Sequence, residues 1–409
     1  MDKDSPPPVS TDRFTRKKEA IIAAATGILN RRGVKGMTLA DVAASVDLIT
    51  TSVTYYFKKK EDLAVACFLS SIERFDSLIS ASLGADDPRE RLHRFLSLYL
   101  DLNRRIRLAE EAPLAAFSDI RALKEPHQSR VTEAYNDLFR KVRSLFNATG
   151  YEWMDRAAAN ARTHILLEQV WWSSNWLSRY DIEDYERISE RFYELLVNGL
   201  CPRSSSWAPN FVRDIQLPPV SHQERARDTF LKAATRLINQ RGYRGASVEK
   251  ISAQLNVTKG SFYHHNEAKD DLVVACFERS FDIMKRVQSA AMREPGTHWQ
   301  RLCSAAAALV EFQVSDGGPL LRTSAVSALP ETIRADMLNK WGRISDRFSA
   351  MISDGIAEGS VRPVDPVIAA HMLNATLNAA ASMRLDREAI RDEAAALYAK
   401  PMLLGLFTP

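Results

Sequence analysis

The fold is set by a stretch that occurs twice, as TLADVAASVDLITTSVTYYFKKKEDL at 38–63 and as SVEKISAQLNVTKGSFYHHNEAKDDL at 247–272. The offset of 209 residues holds without a gap between 16–68 and 225–277, where 17 of 53 positions are identical. Chance would give only a few matches. Self-similarity over this distance indicates that the chain contains two copies of one structural unit.

Each copy of the stretch has the pattern of two short helices joined by a tight turn. Thr38 and Ser247 are residue types that cap helix N-termini, and apolar residues follow them at helical spacing. Asp47, at the corner of the first copy, tolerates the left-handed backbone that such a corner often needs. The second short helix is predicted at 50–56 and 259–265. Helix pairs of this kind place a recognition helix in the major groove of DNA.

The rest of the chain also favours helix, so we predict an all-α protein with two helix-turn-helix heads. Its 409 residues include only 16 Gly and 17 Pro, and apolar residues recur at helical spacing. No apolar run approaches the roughly 20 residues of a membrane span, and the amino terminus is polar. We therefore expect a cytoplasmic protein without membrane association.

The repeat divides the chain into domains. Four prolines and a serine cluster between the copies predict a linker. The predicted domains are a first helix-turn-helix domain at 13–80, a first helical effector and association domain at 81–200, the linker at 201–221, a second helix-turn-helix domain at 222–289, and a second helical effector and association domain at 290–409.

The two stretches resemble the DNA-binding segment of the TetR family, the tetracycline-repressor-like transcriptional regulators. The matching residues of the second copy are Val257, Thr258, Lys259, Gly260, Tyr263, His264, His265, Lys269 and Leu272. The first copy keeps Tyr55, Tyr56, Phe57, Lys60 and Leu63. The sequence departs from the family pattern at Asn266, where Phe is usual, at 47–49, where Gly-Val-Ser is usual, and at Thr54, where Tyr is usual.

The resemblance implies that the partner is a double-stranded DNA operator and that the heads contact it. The expected DNA-binding residues are Thr38, Thr50, Thr51, Ser52, Thr54, Tyr55, Tyr56 and Lys60 in the first copy, and Ser247, Thr258, Lys259, Gly260, Ser261, Tyr263, His264, His265 and Lys269 in the second. Charge supports this independently, because the windows 13–60 and 222–269 carry +7 and +5 in a chain whose net charge is +4. Positive charge is thus concentrated where phosphates would lie.

The first effector domain is rich in aromatic residues, with 15 at 81–200 against 6 at 290–409. Trp153, Trp171, Trp172 and Trp176 are candidates for the wall of a pocket that binds an unidentified small-molecule effector. The alternative is that these tryptophans belong to a core or to a helix–helix interface. The imbalance makes the first unit the better candidate for an aromatic-lined pocket.

The sequence contains no pattern that predicts catalysis, metal binding or a cofactor. Common catalytic and phosphate-binding motifs are absent. Adjacent His264 and His265 point to different sides of a helix, and the four cysteines have no ligand spacing. Cys67 and Cys276 recur at equivalent positions on an apolar helix face, which indicates core packing.

We therefore interpret the chain as a ligand-responsive transcriptional repressor and not as an enzyme. The resemblance implies pairing through the last two helices of each unit, about 157–200 and 364–406, which would form an internal pseudo-dimer on an asymmetric operator. Further dimerisation of the whole chain stays open. The alternative function is a helical small-molecule sensor or protein-partner module with weakened specific DNA binding.

Overall fold

The computed structural model describes residues 9–202, 206–210, 222–245, 250, 252–253, 269–381 and 391–409. These residues form helices and loops, and none of them lies in a strand. The all-α prediction is confirmed. The second predicted recognition helix, 259–265, lies outside the described residues.

The first repeat contains α1 to α8. They span Val9–Gly36, Leu39–Ser45, Thr50–Tyr56, Lys60–Ser82, Pro88–Arg107, His127–Arg143, Arg156–Trp176 and Tyr185–Asn198. Short 3-10 turns lie between the later helices, at Phe117–Ala122, Ser144–Phe146, Leu177–Arg179 and Ile182–Asp184.

The second repeat contains α9 to α15 as far as it is described. They span His222–Gly245, Lys269–Arg293, His298–Val314, Glu331–Ala357, Pro366–Ala380, Arg391–Ala394 and Lys400–Leu404. A 3-10 turn lies at Thr323–Ala328, and a π-helical turn at Ala395–Ala399 joins α14 to α15.

The chain forms two compact units. The first comprises Met1–Ser77 and Arg105–Leu138, and its core includes Ile21, Leu63 and Phe68, all of which are fully buried. The second comprises Leu78–Arg104 and Phe139–Pro409, and so holds the described part of the second head together with most of both helical domains. The predicted domain boundaries at 80 and 289 remain predictions.

An asparagine near the end of the first helix ties that helix to a later loop in each repeat. Asn30 donates from Nδ2 to the carbonyl of Leu114 at 2.8 Å and accepts from the amide of Ala116 at 2.9 Å. Asn239, the equivalent residue, makes the same two bonds at 2.8 and 3.0 Å with Leu320 and Arg322. The repeat detected in the sequence therefore extends to equivalent side-chain contacts.

A glycine bends the first helix of each repeat at the same place. Gly33 has a φ of 63° and Gly242 a φ of 70°. This left-handed region is costly for residues with a side chain, so the pair explains why glycine occupies both positions. The bend ends the long helix and directs the first copy into α2.

The repeats meet inside the second compact unit, where α7 of the first packs along α13 of the second. Gln169, which is fully buried, donates from Nε2 to the carbonyl of Met372 at 2.8 Å and to Oγ1 of Thr376 at 3.1 Å. These bonds join residues more than 200 positions apart, so the two repeats share one interior.

The carboxyl ends of the two repeats also exchange backbone hydrogen bonds. The amide of Leu200 donates to the carbonyl of Leu403, and the amide of Leu406 donates to the carbonyl of Leu196, both at 2.8 Å. A Cβ atom at Gly199 would lie 2.3 Å from the Leu403 carbonyl oxygen. The two chain segments thus approach more closely than side chains would permit.

The described part of the predicted linker lies along α11. Trp299 donates from Nε1 to the carbonyl of Ser206 at 2.9 Å, and the amide of Asn210 donates to Oγ of Ser304 at 2.9 Å. Residues 206–210 are therefore held on the second repeat by hydrogen bonds.

Candidate nucleic-acid interface

The first head is a capped helix pair with a left-handed corner. Thr38 accepts the amide of Asp41 at 3.1 Å and thereby caps α2. Asp47 has a φ of 52°, as the sequence predicts for this corner. The amide of Leu48 then donates to the Ala43 carbonyl at 2.9 Å, which closes the turn before α3. The helix-turn-helix geometry thus arises from short-range contacts.

The inner face of α3 fixes which of its side chains point outward. Val53 is fully buried, and Phe57, which follows the helix, is nearly so. Thr50, Thr51 and Tyr55 are exposed, and Tyr55 retains 69% of its accessible surface. The half-buried residues are Ser52, Thr54 and Tyr56. Hydroxyl groups therefore dominate the outward face, and they can bond to base edges or to phosphates.

Phe14 of α1 supports this face, a role that the sequence pattern did not predict. Its ring centroid lies 6.1 Å from that of Tyr55 and 4.7 Å from that of Tyr56. The two tyrosine rings meet edge to face at 5.3 Å. Phe14 is 41% exposed, an unusual state for a large apolar side chain, and that exposure is the signal that singles it out.

Basic side chains surround the head. Lys60 donates from Nζ to the carbonyl of Lys35 at 2.8 Å, so its charge is held at the start of α4. Arg32 lies 2.9 Å from the carboxylate of Asp41, whose pKa is lowered first by the Thr38 hydroxyl and then by Arg32. Asp41 is thereby paired with a basic side chain, and the window 13–60 that contains this pair has a net charge of +7.

The second head is described only at its edges. The predicted contacts Ser247, Thr258, Lys259, Gly260, Ser261, Tyr263, His264 and His265 lie outside the described residues. Lys269 is the first residue of α10. Contacts of this head with DNA therefore remain predictions from the sequence.

The tryptophans proposed as a ligand wall occupy two kinds of environment. Trp172 and Trp176 are buried, whereas Trp153 and Trp171 are half-buried. The guanidinium carbon of Arg162 lies over the ring of Trp153, 4.9 Å from the centroid of that ring. The ring of Trp172 lies 6.0 Å from that of Trp341, and Trp176 stacks on His371 at 5.9 Å, so both tryptophans lie where the two repeats meet.

The remaining chemistry-bearing residues are consistent with a structural role. Cys67 and Cys276 are fully buried, as predicted, and burial raises the pKa of these thiols to about 11 and about 12. Within the described part of the chain, no group of His, Cys, Asp and Glu side chains is placed to hold a metal ion. Among the described helices, none is both long and apolar enough to cross a membrane.

Comparison with known proteins identifies the family of the two heads. The family model described as bacterial regulatory proteins, tetR family, matches twice, at 21–67 and at 230–276. The chain carries two TetR-like heads in tandem. Both matches fall on the helix-turn-helix heads, so the family model covers the two copies of the stretch from which the repeat was recognised.

Curated relatives of this tandem TetR-like chain align with less than half of it. The HTH-type transcriptional repressor DhaR of Mycobacterium sp. (strain GP1) is 29% identical over 138 residues, which is 33% of this chain and 70% of DhaR. The transposon Tn10 TetC protein of Escherichia coli is 26% identical over 157 residues, 37% of this chain and 78% of TetC.

Solved structures likewise match less than half of this chain. AibR in complex with isovaleryl coenzyme A and operator DNA is 24% identical, with a TM-score of 0.34, and the match covers 43% of this chain and 96% of AibR. FadR from Bacillus subtilis in complex with stearoyl-CoA is 16% identical, with a TM-score of 0.31, and the match covers 43% of this chain and 97% of FadR.

Proposed function

We propose that this chain is a ligand-responsive transcriptional repressor whose two unlike heads bind the two halves of one asymmetric operator. The observation that carries the proposal is the packing of α7 on α13 within a single polypeptide. Two-fold pairing of DNA-binding subunits is what matches a protein to an operator with two half-sites. Here the two members of the pair differ in sequence, so the half-sites should differ too.

The first head supplies the groups that such a half-site needs. Thr50 and Thr51 offer hydroxyl and methyl groups, and Tyr55 offers an exposed hydroxyl. Threonine methyls suit a thymine methyl, whereas Lys259 of the second copy can donate to guanine O6 and N7. Lys60, at the start of α4, is the proposed phosphate contact, and its ammonium group is held by the hydrogen bond to the Lys35 carbonyl. The proposed preferences of the two heads are therefore chemically distinct.

Selection of bound sequences from a random DNA library tests the proposal. We expect two unlike half-sites whose centres lie about 34–36 Å, or a small multiple of that, apart. Sedimentation in dilute solution should show that the 46.0 kDa chain binds DNA as one copy. Enrichment of a near-perfect inverted repeat, or strict dependence on dimers of the whole chain, would contradict the internal pairing.

A salt-titrated gel shift separates the repressor from the alternative function, a sensor or partner module with weakened DNA binding. Specific groove binding predicts nanomolar affinity for the selected site, which falls steeply with salt. The departures from the family pattern at Asp47, Ile49, Thr54 and Asn266 favour the alternative, and Ile49 is 71% exposed beside α3. Equal and weak affinity for all sequences would support the alternative function.

The small-molecule effector is part of the proposal. A ligand bound in the helical domains would favour a spacing of the heads that does not fit the operator, so that binding and release correspond to two populations of one chain. Addition of effector should then lower the affinity for the selected DNA without unfolding the protein.

A further inference from the structure

Four buried polar atoms lack a hydrogen-bond partner where α7 meets α12 and α13. They are Nε1 of Trp172, Nε1 of Trp341, Nδ1 of His371 and Oδ1 of Asn374. None of these side chains is more than 6% exposed. Buried polar groups are almost always paired, because an unpaired one loses its bonds to water without replacement. Such a concentration in one place therefore points to a missing partner.

The four side chains belong to one connected cluster, which we call the junction cluster. The indole centroids of Trp172 and Trp341 lie 6.0 Å apart at an interplanar angle of 59°. Asn374 donates from Nδ2 to Oγ of Ser345 at 2.7 Å, and this hydroxyl donates to the Trp341 carbonyl at 3.2 Å. His371 precedes Asn374 by about one turn of α13.

The junction cluster presents mainly donors. A nitrogen of Arg179 lies 3.3 Å from Nε2 of His371, and arginine can only donate, so Nε2 accepts and the ring proton resides on Nδ1. Burial, and then Arg179, lowers the pKa of His371 to about 4, which keeps this ring neutral. The cluster thus offers three N–H donors and one carbonyl acceptor, beside two indoles.

We propose that the junction cluster is the effector site, shared by the two repeats and present once per chain, and that its ligand is a small aromatic molecule bearing oxygen acceptors, as in an aromatic carboxylate or ketone. The inference rests on the proposed function, because it assigns a place and a chemistry to the effector. Because the two indoles are in contact, the ligand enters by displacing the Trp341 indole, and its oxygens accept from the unpaired N–H groups. Trp172 comes from the first repeat and the other three residues from the second.

The position of the junction cluster also indicates which head responds. Trp341 packs edge to face on Phe281, with ring centroids 5.4 Å apart, and Phe281 stacks on Phe277 at 5.9 Å. Both phenylalanines lie on α10, which begins at Lys269, directly after the second head. A ligand that displaces the Trp341 indole therefore acts on the helix that carries the second head, so regulation is unequal between the two heads.

The site is tested by titrating the protein with 1-naphthoate and measuring binding as quenching of tryptophan fluorescence. Naphthalene is the matched probe that lacks oxygen. Trp172→Phe and Trp341→Phe each keep a ring and remove one N–H group. We expect naphthoate binding to weaken roughly 3- to 10-fold in each variant, as for one lost hydrogen bond. Trp171→Phe, on the same helix but outside the junction cluster, is the control and should leave binding unchanged.

Melting temperature distinguishes a ligand site from a structural cluster. The variants remove an unpaired N–H group, which favours folding, and leave a small cavity beside the smaller ring, which opposes it, so the melting temperature of the protein without ligand should change little. A clear fall in melting temperature with unchanged naphthoate affinity would overturn the inference, as would absence of naphthoate binding or equal binding of naphthalene. The proposed function is tested separately, because DNA binding without naphthoate should be the same in all three variants.

Discussion

Arg162 offers the sharpest test of how the repeats are held together. This residue of α7 is 3% exposed, yet it carries a guanidinium group. Nε donates to the carbonyl of Leu406 at 2.6 Å and Nη2 donates to the carbonyl of Thr408 at 2.8 Å. The first repeat thereby holds the last residues of the second. We expect Arg162→Ala to destabilise the fold chiefly by releasing this contact.

The magnitude follows from opposing contributions. Two hydrogen bonds from a charged donor stabilise by about 3–6 kcal/mol in total. Burial opposes this stabilisation, because it lowers the pKa of Arg162 to about 10. That shift corresponds to a cost of roughly 3 kcal/mol for keeping the guanidinium charged in the folded protein. The alanine variant, however, also leaves two carbonyls without their donor, at about 1–3 kcal/mol each where water does not replace it. Where water replaces neither donor, these contributions sum to a net loss of about 2–9 kcal/mol.

Urea unfolding, followed by tryptophan fluorescence, measures this loss. Arg91→Ala is the matched control, because Arg91 binds the carbonyls of Ala85 and Asn147 at 2.6 and 2.7 Å within the first repeat alone. After cleavage at a protease site introduced at 203–205, the two halves of the wild type and of the control should stay associated, whereas those of Arg162→Ala should separate. A loss below about 1 kcal/mol with intact association would refute the reasoning.

Three further outcomes are expected. Thr38→Ala should cost about 1 kcal/mol of stability in the first head through loss of the α2 cap, measurable by hydrogen exchange, while Thr38→Ser should restore it. Lys60→Ala should weaken binding to all DNA sequences alike and flatten the salt slope by about one, whereas a change in base preference would contradict a phosphate contact. Burial and a nearby arginine lower the pKa of both His164 and His371 to about 4, so the unfolded chain binds more protons between pH 6.5 and 4. Stability should therefore fall as the pH drops through that range, by up to roughly 3 kcal/mol per histidine, and His371→Gln should reduce the loss in acid titrations.

Features that depend on near neighbours in the chain were predictable. Thr38 caps the helix that it precedes, Asp47 takes the left-handed corner, and α3 spans the predicted 50–56. Each of these depends on residues a few positions away, so the local sequence carries the information. Helical spacing of the apolar residues likewise predicted that Cys67 is buried.

Contacts between distant residues were not predictable in this way. Trp172 was recognised as a candidate for a core or a ligand wall, but its partner Trp341 lies 169 positions further on, and no periodicity links the two. The same limit applies to Phe14, whose role depends on how α1 packs against α3.

The docked linker and the packing of α7 on α13 determine how pairing of the two units depends on the concentration of the protein. Separate subunits that must meet before they bind DNA respond to roughly the square of their concentration when they are scarce. Units joined by a linker that can span them meet at an effective concentration on the order of millimolar, whatever the number of molecules in the cell. Under the proposed function, occupancy of the operator by this chain therefore rises in direct proportion to its copy number.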